Sequence, residues 1–503
     1  MHLQESVLCS TAAASSSAGP GTISLHDIQT GTVLASFKQT NASPNCTAFV
    51  ETRNAQGGFI LSAQPDKSIL NVYNFQKDQI SLKIVLPEKL TCIAMDPRGT
   101  YCAGGTAQGR IYFWEVASGI LYHSWDAHYR QVTVLRFTPD GSALISGSED
   151  SGVSVWSVSR LIDDETQNEL PLPYCTLTDH TLPITDIVCG IGSFPKGRLL
   201  TSSVDHSVKL WDLSSQTLLT TFQFPRSISS LAWDVTERIF MAASRDGSIH
   251  QVNLFRQRDT KSGGQFTEAV GGAGVNDIIR VGEEGREAQK RRLIFVDQPI
   301  MALCISLTSS HLLVGTENGL IHIYDIPSHQ LLRTITTHKG FVITHLATML
   351  KPPDLIGHIN LNLCVGSAAD AKDIIPVKHV SPFQRMRDPK TREAHDVALL
   401  LPPQKMVLED DWSYDAEEFL RDHAFFVQPS GTVTTPGTDN LTLKSKVEDL
   451  EAEVARLREQ LGKAKSVNNM MWDTIVQRAL HQESGDEPAE STDDEPRRKK
   501  GRV

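Results

Sequence analysis

The sequence predicts an all-β fold, a seven-bladed β-propeller, followed by an extended arm and an α-helical coiled coil. The first observation is a repeat, an alternating apolar run that leads into an acidic or polar residue. The seven copies place this residue at Asp27, Asn74, Glu115, Ser157, Asp212, Asn253 and Asp325. They are 47, 41, 42, 55, 41 and 72 residues apart. A period of about 40–45 residues is typical of WD40 blades, which are four-stranded antiparallel sheets.

The second observation is the composition, which is that of a globular protein. Of 503 residues, 40% are hydrophobic and 21% are charged, which excludes a wholly disordered chain. No apolar run approaches the roughly 18–20 residues of a membrane span, so we expect no membrane partner. The eight cysteines form no Cys-x-x-Cys pair, which favours buried free thiols in a reducing compartment. The net charge of -11 argues against nonspecific nucleic-acid binding by the whole chain.

Within the strongest copies, polar residues have the spacing of a blade-stabilising network. A loop histidine, a strand hydroxyl, a turn aspartate and a strand tryptophan form a hydrogen-bonded chain in such blades, because a buried indole N–H needs an acceptor. One predicted set consists of His180, Ser203, Asp205 and Trp211, and a looser set consists of His128, Ser148, Asp150 and Trp156.

The ring is expected to span residues 1–350 and to close between its two ends. The first copy has only two clear strands before its turn, whereas a spare strand-like run, residues 341–350, follows the seventh copy. Pairing this run with the N-terminal strands would remove an open sheet edge. The two long spacings contain insertions, and the second, residues 256–292, is rich in glycine and charge and is expected to be an exposed loop.

Residues 351–437 are predicted to form an extended arm or linker, because proline pairs and short apolar islands interrupt any long period. A linker that packs along the side of the propeller is the favoured interpretation, and a strap that binds a partner is the alternative. The last segment, residues 481–503, is acidic and then basic, a composition that predicts disorder. Its basic residues are candidates for a nuclear-import signal: Arg497, Arg498, Lys499, Lys500 and Arg502.

The third observation is a heptad pattern over residues 438–480. Its apolar seam, with one polar position, contains Leu443, Val447, Leu450, Val454, Leu457, Leu461, Asn468, Met471 and Ile475. Valine at position a with leucine at position d favours two parallel strands, and a polar residue at one a position fixes the register. The flanking pairs Lys446–Glu451 and Glu453–Arg458 would attract each other between two parallel copies. The segment therefore predicts a homodimer, and the alternative is a helix that packs on its own propeller or on another chain.

The sequence contains no recognisable catalytic or cofactor motif. There is no phosphate-binding glycine loop, no nucleophile elbow and no paired Cys/His cluster that could hold a metal. His180, Ser203 and Asp205 contain the atoms of a nucleophilic triad, but Trp211 at a fixed offset favours the structural network. We therefore expect a protein that is not an enzyme and needs no cofactor.

Two blades carry a more specific resemblance. Residues 180–192 (HTLPITDIVCGIG) and 201–212 (TSSVDHSVKLWD), together with 243–255 (ASRDGSIHQVNLF), where Val-Asn replaces the usual Trp-Asp, resemble the Ipi-type pre-rRNA-processing WD-repeat proteins and their animal nucleolar counterparts. The terminal coil agrees with this resemblance, which does not extend to residues 256–292 or 370–437.

The resemblance implies a non-catalytic scaffold subunit of a nuclear complex that acts in the nucleolus and nucleoplasm. That complex would join the large-subunit precursor (pre-60S) particle, support processing of internal transcribed spacer 2, and prepare the particle for the AAA-type ATPase midasin. The other expected subunits are a large helical-repeat scaffold and a smaller helical-repeat protein. Two alternatives stay open, a chromatin or replication-licensing adaptor and a cullin-ligase substrate receptor. The second is disfavoured because Ser214 stands where the Trp-Asp-x-Arg motif of such receptors has arginine.

Overall fold

The computed structural model describes residues 4–13, 19–53, 56–163, 169–259, 265–269, 277–282, 293–355, 377–388, 450–466 and 470–471. The chain divides into two units, Met1–Met406 and Val407–Val503. No helix in these ranges is long and apolar enough to cross a membrane.

The first unit is a β-propeller whose blades follow one another along the chain. Blades 1 and 2 contain β1 (Glu5–Ala13), β2 (Gly21–Asp27), β3 (Val33–Thr40), β4 (Thr47–Val50), β5 (Phe59–Ala63), β6 (Ile69–Asn74) and β7 (Leu82–Val85). Blades 3 and 4 contain β8 (Leu90–Met95), β9 (Tyr101–Thr106), β10 (Arg110–Glu115), β11 (Leu121–Asp126), β12 (Val132–Phe137), β13 (Ala143–Ser148), β14 (Val153–Ser157) and β15 (Cys175–Leu177). A short helix, α1 (Val158–Ile162), follows β14.

Blade 5 contains β16 (Ile184–Cys189), β17 (Arg198–Ser203), β18 (Ser207–Asp212) and β19 (Thr217–Gln223). Blade 6 contains β20 (Ile228–Trp233), β21 (Ile239–Ser244), β22 (Ser248–Asn253) and, after the insertion strands β23 (Phe255–Asp259), β24 (Gln265–Ala269) and β25 (Asp277–Arg280), also β26 (Leu293–Phe295). Blade 7 contains β27 (Ile300–Ile305), β28 (His311–Thr316), β29 (Ile321–Asp325) and β30 (Leu331–Ile335), and β31 (Phe341–Leu350) follows.

The described strands form seven sheets of blade type, which confirms the predicted number of blades. The ring closes as the sequence indicated: β31 is the innermost strand of blade 1, in the order β3-β2-β1-β31. It pairs antiparallel with β1 from Glu5 opposite Leu350 to Ala13 opposite Phe341. The two ends of the ring are therefore held by one long ladder, and β1 is paired along both of its edges, with β2 and with β31.

The hydrophobic core lies between the blades. Seven clusters of buried side chains each join one blade to the next, so that the core forms seven seams around the ring. In a sheet whose two faces both pack against neighbouring blades, consecutive residues of a strand are buried, as are all five residues of Phe59–Ala63.

The insertion at residues 256–292 is not only a loop, and that prediction was wrong. β23 and β24 pair as a hairpin, and β25 adds to blade 5 as a fifth strand, parallel to β19. Ile279 and Val281 pack against the seam between blades 5 and 6. These apolar residues give the insertion a reason to pair, which its glycine and charge content concealed.

In the second unit, residues 450–466 form a helix, which we call α2, and Met470 and Met471 are also helical. Five predicted seam positions fall in these ranges, and all are exposed: Leu450, Val454, Leu457, Leu461 and Met471. Leu443, Val447, Asn468 and Ile475 lie outside the described residues, as do the acidic-basic tail and its five candidate import residues.

Candidate functional site

The polar network of blade 5 is a continuous chain of hydrogen bonds. The indole Nε1–H of Trp211 donates to Thr201 Oγ1 at 2.9 Å, and Thr201 Oγ1 lies 2.8 Å from His180 Nε2. His180 Nδ1 lies 2.9 Å from Asp205 Oδ2. The assignment that satisfies every atom has Thr201 donating to Nε2 and the Nδ1–H donating to Asp205. Asp205 also accepts the backbone N–H of Thr181, which fixes the loop that leads into β16.

Blade 4 contains the same chain. Trp156 Nε1–H donates to Ser146 Oγ at 3.0 Å, Ser146 Oγ lies 2.8 Å from His128 Nε2, and His128 Nδ1 lies 3.1 Å from Asp150 Oδ2. Asp150 accepts the backbone N–H of Tyr129. In both blades the network therefore joins the tryptophan on the third strand to the loop before the first strand.

The hydroxyls predicted for these networks, Ser148 and Ser203, were wrong. Both lie two residues further along the same strand face. Ser203 Oγ donates to the carbonyl of Leu182 and accepts the N–H of Asp205, and Ser148 does the same with Arg130 and Asp150. They hold the turns next to the network, whereas Thr201 and Ser146 face the indoles, because each tryptophan reaches two positions past its cross-strand neighbour.

The charges of the networks are consistent with these bonds. Burial alone would raise the pKa of Asp150, but hydrogen bonds from His128 and from backbone N–H groups outweigh it and lower that pKa to about 2. The pKa of Asp205 is lowered in the same way, against the effect of its burial, by His180 and Ser207. The hydroxyl of Thr201 is fully buried and already bonded on both sides. These groups therefore act as a structural chain and present no nucleophile to solvent.

In blade 3 the indole N–H of the tryptophan finds a different acceptor, in a segment that the sequence analysis did not single out. Trp114 lies opposite Cys102, so the position of the network hydroxyl is Gly104. Trp114 Nε1–H donates instead to the carbonyl of Gln384 in the arm, at 3.0 Å. Phe383 is buried and stacks on the indole, with ring centroids 5.1 Å apart. A buried tryptophan facing a glycine was the available signal that another segment had to supply an acceptor.

Blade 1, where the ring closes, contains a third arrangement. His26 lies opposite Val7, in the position of the tryptophan, and Cys9 occupies the position of the hydroxyl. His338, which precedes β31, bonds directly to the ring of His26, and the two Nε2 atoms are 2.8 Å apart. Burial and then the neighbouring His26 lower the pKa of His338 to about 4. One ring donates and the other accepts, so this pair is stable only while at least one of them is neutral.

The innermost strands of all seven blades line one open central cavity of about 970 Å³. Arg136 crosses it, with Nη2 donating to Asn45 Oδ1 at 3.1 Å and to Asp186 Oδ1 at 3.2 Å. Asp186 also accepts the N–H of Leu231. These bonds connect blades 2, 4, 5 and 6 across the channel. Around its wall, hydroxyls bond to the next blade, as Thr133 Oγ1 does to the carbonyl of Ile184 at 2.8 Å.

At one end of the channel, the network loops present side chains to solvent. Tyr129 is 99% exposed, and Leu182 and Val204 are also exposed. Their backbones are fixed: Tyr129 N–H bonds to Asp150, and Val204 N–H bonds to the carbonyl of Pro183. An exposed tyrosine on a rigid loop costs little conformational entropy when it binds a partner. Chemically, this surface is suited to contact another macromolecule.

Among the described residues, no group of three or more His, Cys, Asp or Glu side chains is placed to hold a metal ion. The seven cysteines in these ranges are free thiols. Burial raises the pKa of these thiols, as for Cys46, whose pKa is raised to about 12.

Comparison with known proteins agrees with the geometry. The model of the WD domain, G-beta repeat, matches residues 119–157 and 172–212. These ranges contain the strands of blades 4 and 5 that carry the complete networks. Of the other blades, in which tryptophan or hydroxyl is replaced, the matched residues contain only the outer strand β11 of blade 3.

The similarity to known proteins extends well beyond these two blades. The pre-rRNA-processing protein IPI3 of Mycosarcoma maydis is 33% identical over 84% of this chain and 86% of its own length. The IPI3 protein of Yarrowia lipolytica is 29% identical over 90% of this chain and 96% of its own length. Human WD repeat-containing protein 18 is 31% identical over 66% of this chain and 70% of its own length. The chain therefore belongs to the family of pre-rRNA-processing WD-repeat proteins that includes IPI3 and WD repeat-containing protein 18.

Proposed function

We propose that the protein is a non-catalytic scaffold subunit of a nuclear pre-ribosomal complex, needed to process internal transcribed spacer 2 and to mature the large ribosomal subunit. The observation that carries the proposal is the similarity to proteins named for pre-rRNA processing, which covers 84% and 90% of the chain in two fungal relatives. The chemistry of the ring supports a scaffold, because the histidines and hydroxyls of its networks are bonded to one another.

The proposed partners are a large helical-repeat scaffold, a smaller helical-repeat subunit, the pre-60S particle and the ATPase midasin. The rigid surface around Tyr129, Leu182 and Val204 has the properties of a protein-contact site: it combines an exposed aromatic side chain with apolar neighbours and fixed backbones. Arg130, beside Tyr129, is exposed as well. We propose this end of the channel as one of the contact surfaces of the scaffold.

Affinity purification of the tagged full chain from nuclear extract tests the function. We expect large-subunit precursors that retain internal transcribed spacer 2 to be recovered with it, together with helical-repeat proteins. Depletion of the protein should cause that precursor to accumulate, and the wild-type chain should restore processing. An unrelated tagged propeller is the control. Normal spacer processing after depletion, with no precursor recovered, would contradict the proposal.

We also propose that the protein is a homodimer through the coil. On α2, Leu450, Val454, Leu457 and Leu461 are 62%, 47%, 52% and 72% exposed. They follow the alternating spacing of three and four residues that forms a coiled-coil seam, and a stripe of this kind favours association with a second helix. Glu459 and Lys463 pair on the helix surface, at 2.7 Å, and leave the stripe apolar.

Light scattering on the full chain at micromolar concentration tests the dimer. We expect a dimer mass for wild type and a monomer mass for Leu450→Asp/Leu457→Asp, because charge is poorly tolerated in an apolar seam. Arg456→Gln, an exposed residue outside the seam and outside both proposed charge pairs, is a control that should keep the dimer mass. A monomer mass for wild type would show that the stripe serves another subunit.

The basic residues Arg497, Arg498, Lys499, Lys500 and Arg502 are proposed to direct nuclear import. The full chain and a chain without residues 497–502 should differ in nuclear accumulation but melt at the same temperature. Equal nuclear accumulation would mean that import depends on a partner.

A further inference from the structure

A short piece of the arm, residues 377–388, lies on blades 2 and 3. Val377 forms a parallel bridge with Gly57, and Lys378 N–H donates to the carbonyl of Gly57 at 2.9 Å. Further along, Gln384 N–H donates to the carbonyl of Gly119 at 2.8 Å, and Phe383 stacks on Trp114. Residues 378–388 have no regular secondary structure, so the segment is held by individual contacts with the two blades.

Ser381 lies in the centre of these contacts. Its backbone N–H donates to the carbonyl of Val116 at 3.0 Å, and its Oγ donates to the carbonyl of Ala117 at 2.6 Å. The next residue is Pro382, which is exposed, and Ser381 itself is half-buried. An extended Ser-Pro sequence with one side open to solvent has the form that proline-directed kinases require, because such enzymes bind their substrate as an extended peptide.

We propose that Ser381 is a phosphorylation site for a proline-directed serine/threonine kinase, and that its phosphorylation releases residues 377–388 from blade 3. In the reaction, the Ser381 oxygen forms a bond to the γ-phosphorus of a nucleoside triphosphate. The bond between that phosphorus and the β,γ-bridging oxygen breaks, the diphosphate leaves, and the hydroxyl proton passes to the kinase base.

Release of the segment follows from the geometry around Ser381 on blade 3. In the bound segment, Ser381 Oγ is a donor that faces a carbonyl oxygen 2.6 Å away. A phosphoserine has no proton to donate there at neutral pH, and it carries a charge of about −1.5 to −2. The dianion would face the partial negative charge of the carbonyl, so the segment loses a hydrogen bond and gains a repulsion.

Nearby cationic side chains do not offset the lost hydrogen bond and the new repulsion while the segment stays bound to blade 3. Lys378 Nζ already donates to the carbonyl of Arg98. His379 Nε2 lies 3.0 Å from Ser381 Oγ, and its ring is exposed. Pairing of the phosphate with His379 would not restore the lost hydrogen bond to the carbonyl of Ala117.

Two other proline-directed sequences in the described ranges show why Ser381 is selected. Thr138, before Pro139, is 2% exposed, and its Oγ1 bonds to Asp140 and Ala143 inside blade 4. Ser43, before Pro44, lies in the short connection between β3 and β4, where Cys46 N–H donates to its carbonyl. Thr138 cannot leave its site as an extended peptide without opening blade 4. The connection that holds Ser43, residues 41–46, is short and is joined to a strand at each end.

The experiment uses the purified full chain, a proline-directed kinase with ATP, and hydrogen exchange measured by mass spectrometry. We expect phosphate at Ser381 and exchange in residues 377–388 that is faster by about tenfold, since the loss of one hydrogen bond and a new repulsion amount to about that factor. Peptides from blade 5, residues 198–212, should exchange at the same rate before and after phosphorylation.

Three variants complete the test. Ser381→Ala should take up no phosphate in this segment, and Ser43→Ala, the matched control, should behave as wild type. Phe383→Ala should exchange fast without kinase, because it removes the stacked ring, and it gives the reference for a released segment. The proposal is overturned if Ser381 is not phosphorylated in the full chain although a peptide of residues 375–390 is, or if phosphorylated protein exchanges as slowly as wild type or more slowly.

Discussion

Replacing Thr201 with valine separates the observed network of blade 5 from the one that the sequence predicted. Valine has the shape of threonine and lacks only the hydroxyl, so the strand and the packing are preserved. The change removes the acceptor of Trp211 Nε1–H and the donor to His180 Nε2. The matched variant is Ser203→Ala, because Ser203 was the predicted member and lies on the same face of β17.

The structure gives different magnitudes for the two changes. The side chain of His180 is fully buried and Trp211 is 3% exposed, so Thr201→Val leaves two buried polar atoms without partners. Each such atom costs about 1–3 kcal/mol, and together we expect a loss of about 3 kcal/mol. Ser203→Ala removes bonds to the carbonyl of Leu182 and from the N–H of Asp205, both in exposed or half-buried turn residues. We expect a loss of about 1 kcal/mol there.

Urea unfolding, followed by tryptophan fluorescence and by circular dichroism, ranks the variants by their midpoints. A large ring need not unfold in two states, so the order of the midpoints is the measured quantity. We expect wild type, then Ser203→Ala, then Thr201→Val, in order of decreasing midpoint. If Ser203→Ala lowered the midpoint as much as Thr201→Val, the indole and the imidazole would not depend on Thr201, and the reasoning would be refuted.

Two further changes test the ring itself. In the folded protein the pKa of His338 is lowered from 6.5 to about 4. Below pH 6.5 the unfolded chain therefore binds more protons than the folded one. As the pH drops from 6.5 to 4, the free energy of unfolding falls by roughly 3 kcal/mol. The glutamine of His338→Gln stays neutral and can still bond to His26, so the urea midpoint of this variant should fall less steeply with pH than that of wild type. An equally steep fall in both proteins would contradict the proposed role of the His26–His338 pair. Thr133→Val removes the bond from blade 4 to the carbonyl of Ile184 and should cost about 1 kcal/mol, whereas Thr133→Ser keeps the hydroxyl and should melt close to wild type.

Much of the ring could be predicted from the sequence, because its signals are local. The repeat period, the alternation within strands and the turns at Asp150 and Asp205 all lie within one blade. The spare run at residues 341–350 indicated the closure, since an unpaired strand at one end needed a partner at the other. The hydroxyls of the networks were misplaced by two residues because Ser146 and Ser148, like Thr201 and Ser203, lie on the same face. Only the cross-strand register, Leu199 opposite Trp211, decides between them.

The parts that were missed depend on contacts between distant segments. β25 pairs with β19 in parallel, and nothing in its four residues indicates that partner. Phe383 and Gln384 contact Trp114, about 270 residues earlier in the chain, through an aromatic stack and a backbone carbonyl. Every residue has a backbone carbonyl, so no sequence motif marks the one that accepts the bond from Trp114.

The exceptions nevertheless follow one rule that can be stated in physical terms. A buried indole or imidazole on the third strand of a blade needs a partner, and the preferred one is a hydroxyl two residues past its cross-strand neighbour. Blades 4 and 5 have Ser146 and Thr201 there, and these are the blades that the WD-domain comparison matches. Blade 3 has Gly104 at this position and recruits the arm, while blade 1 has Cys9 and uses a second histidine. The departures in blades 3 and 1 thus occur where the ring receives its arm and where it closes, because at both places a group from outside the blade is available to replace the missing hydroxyl.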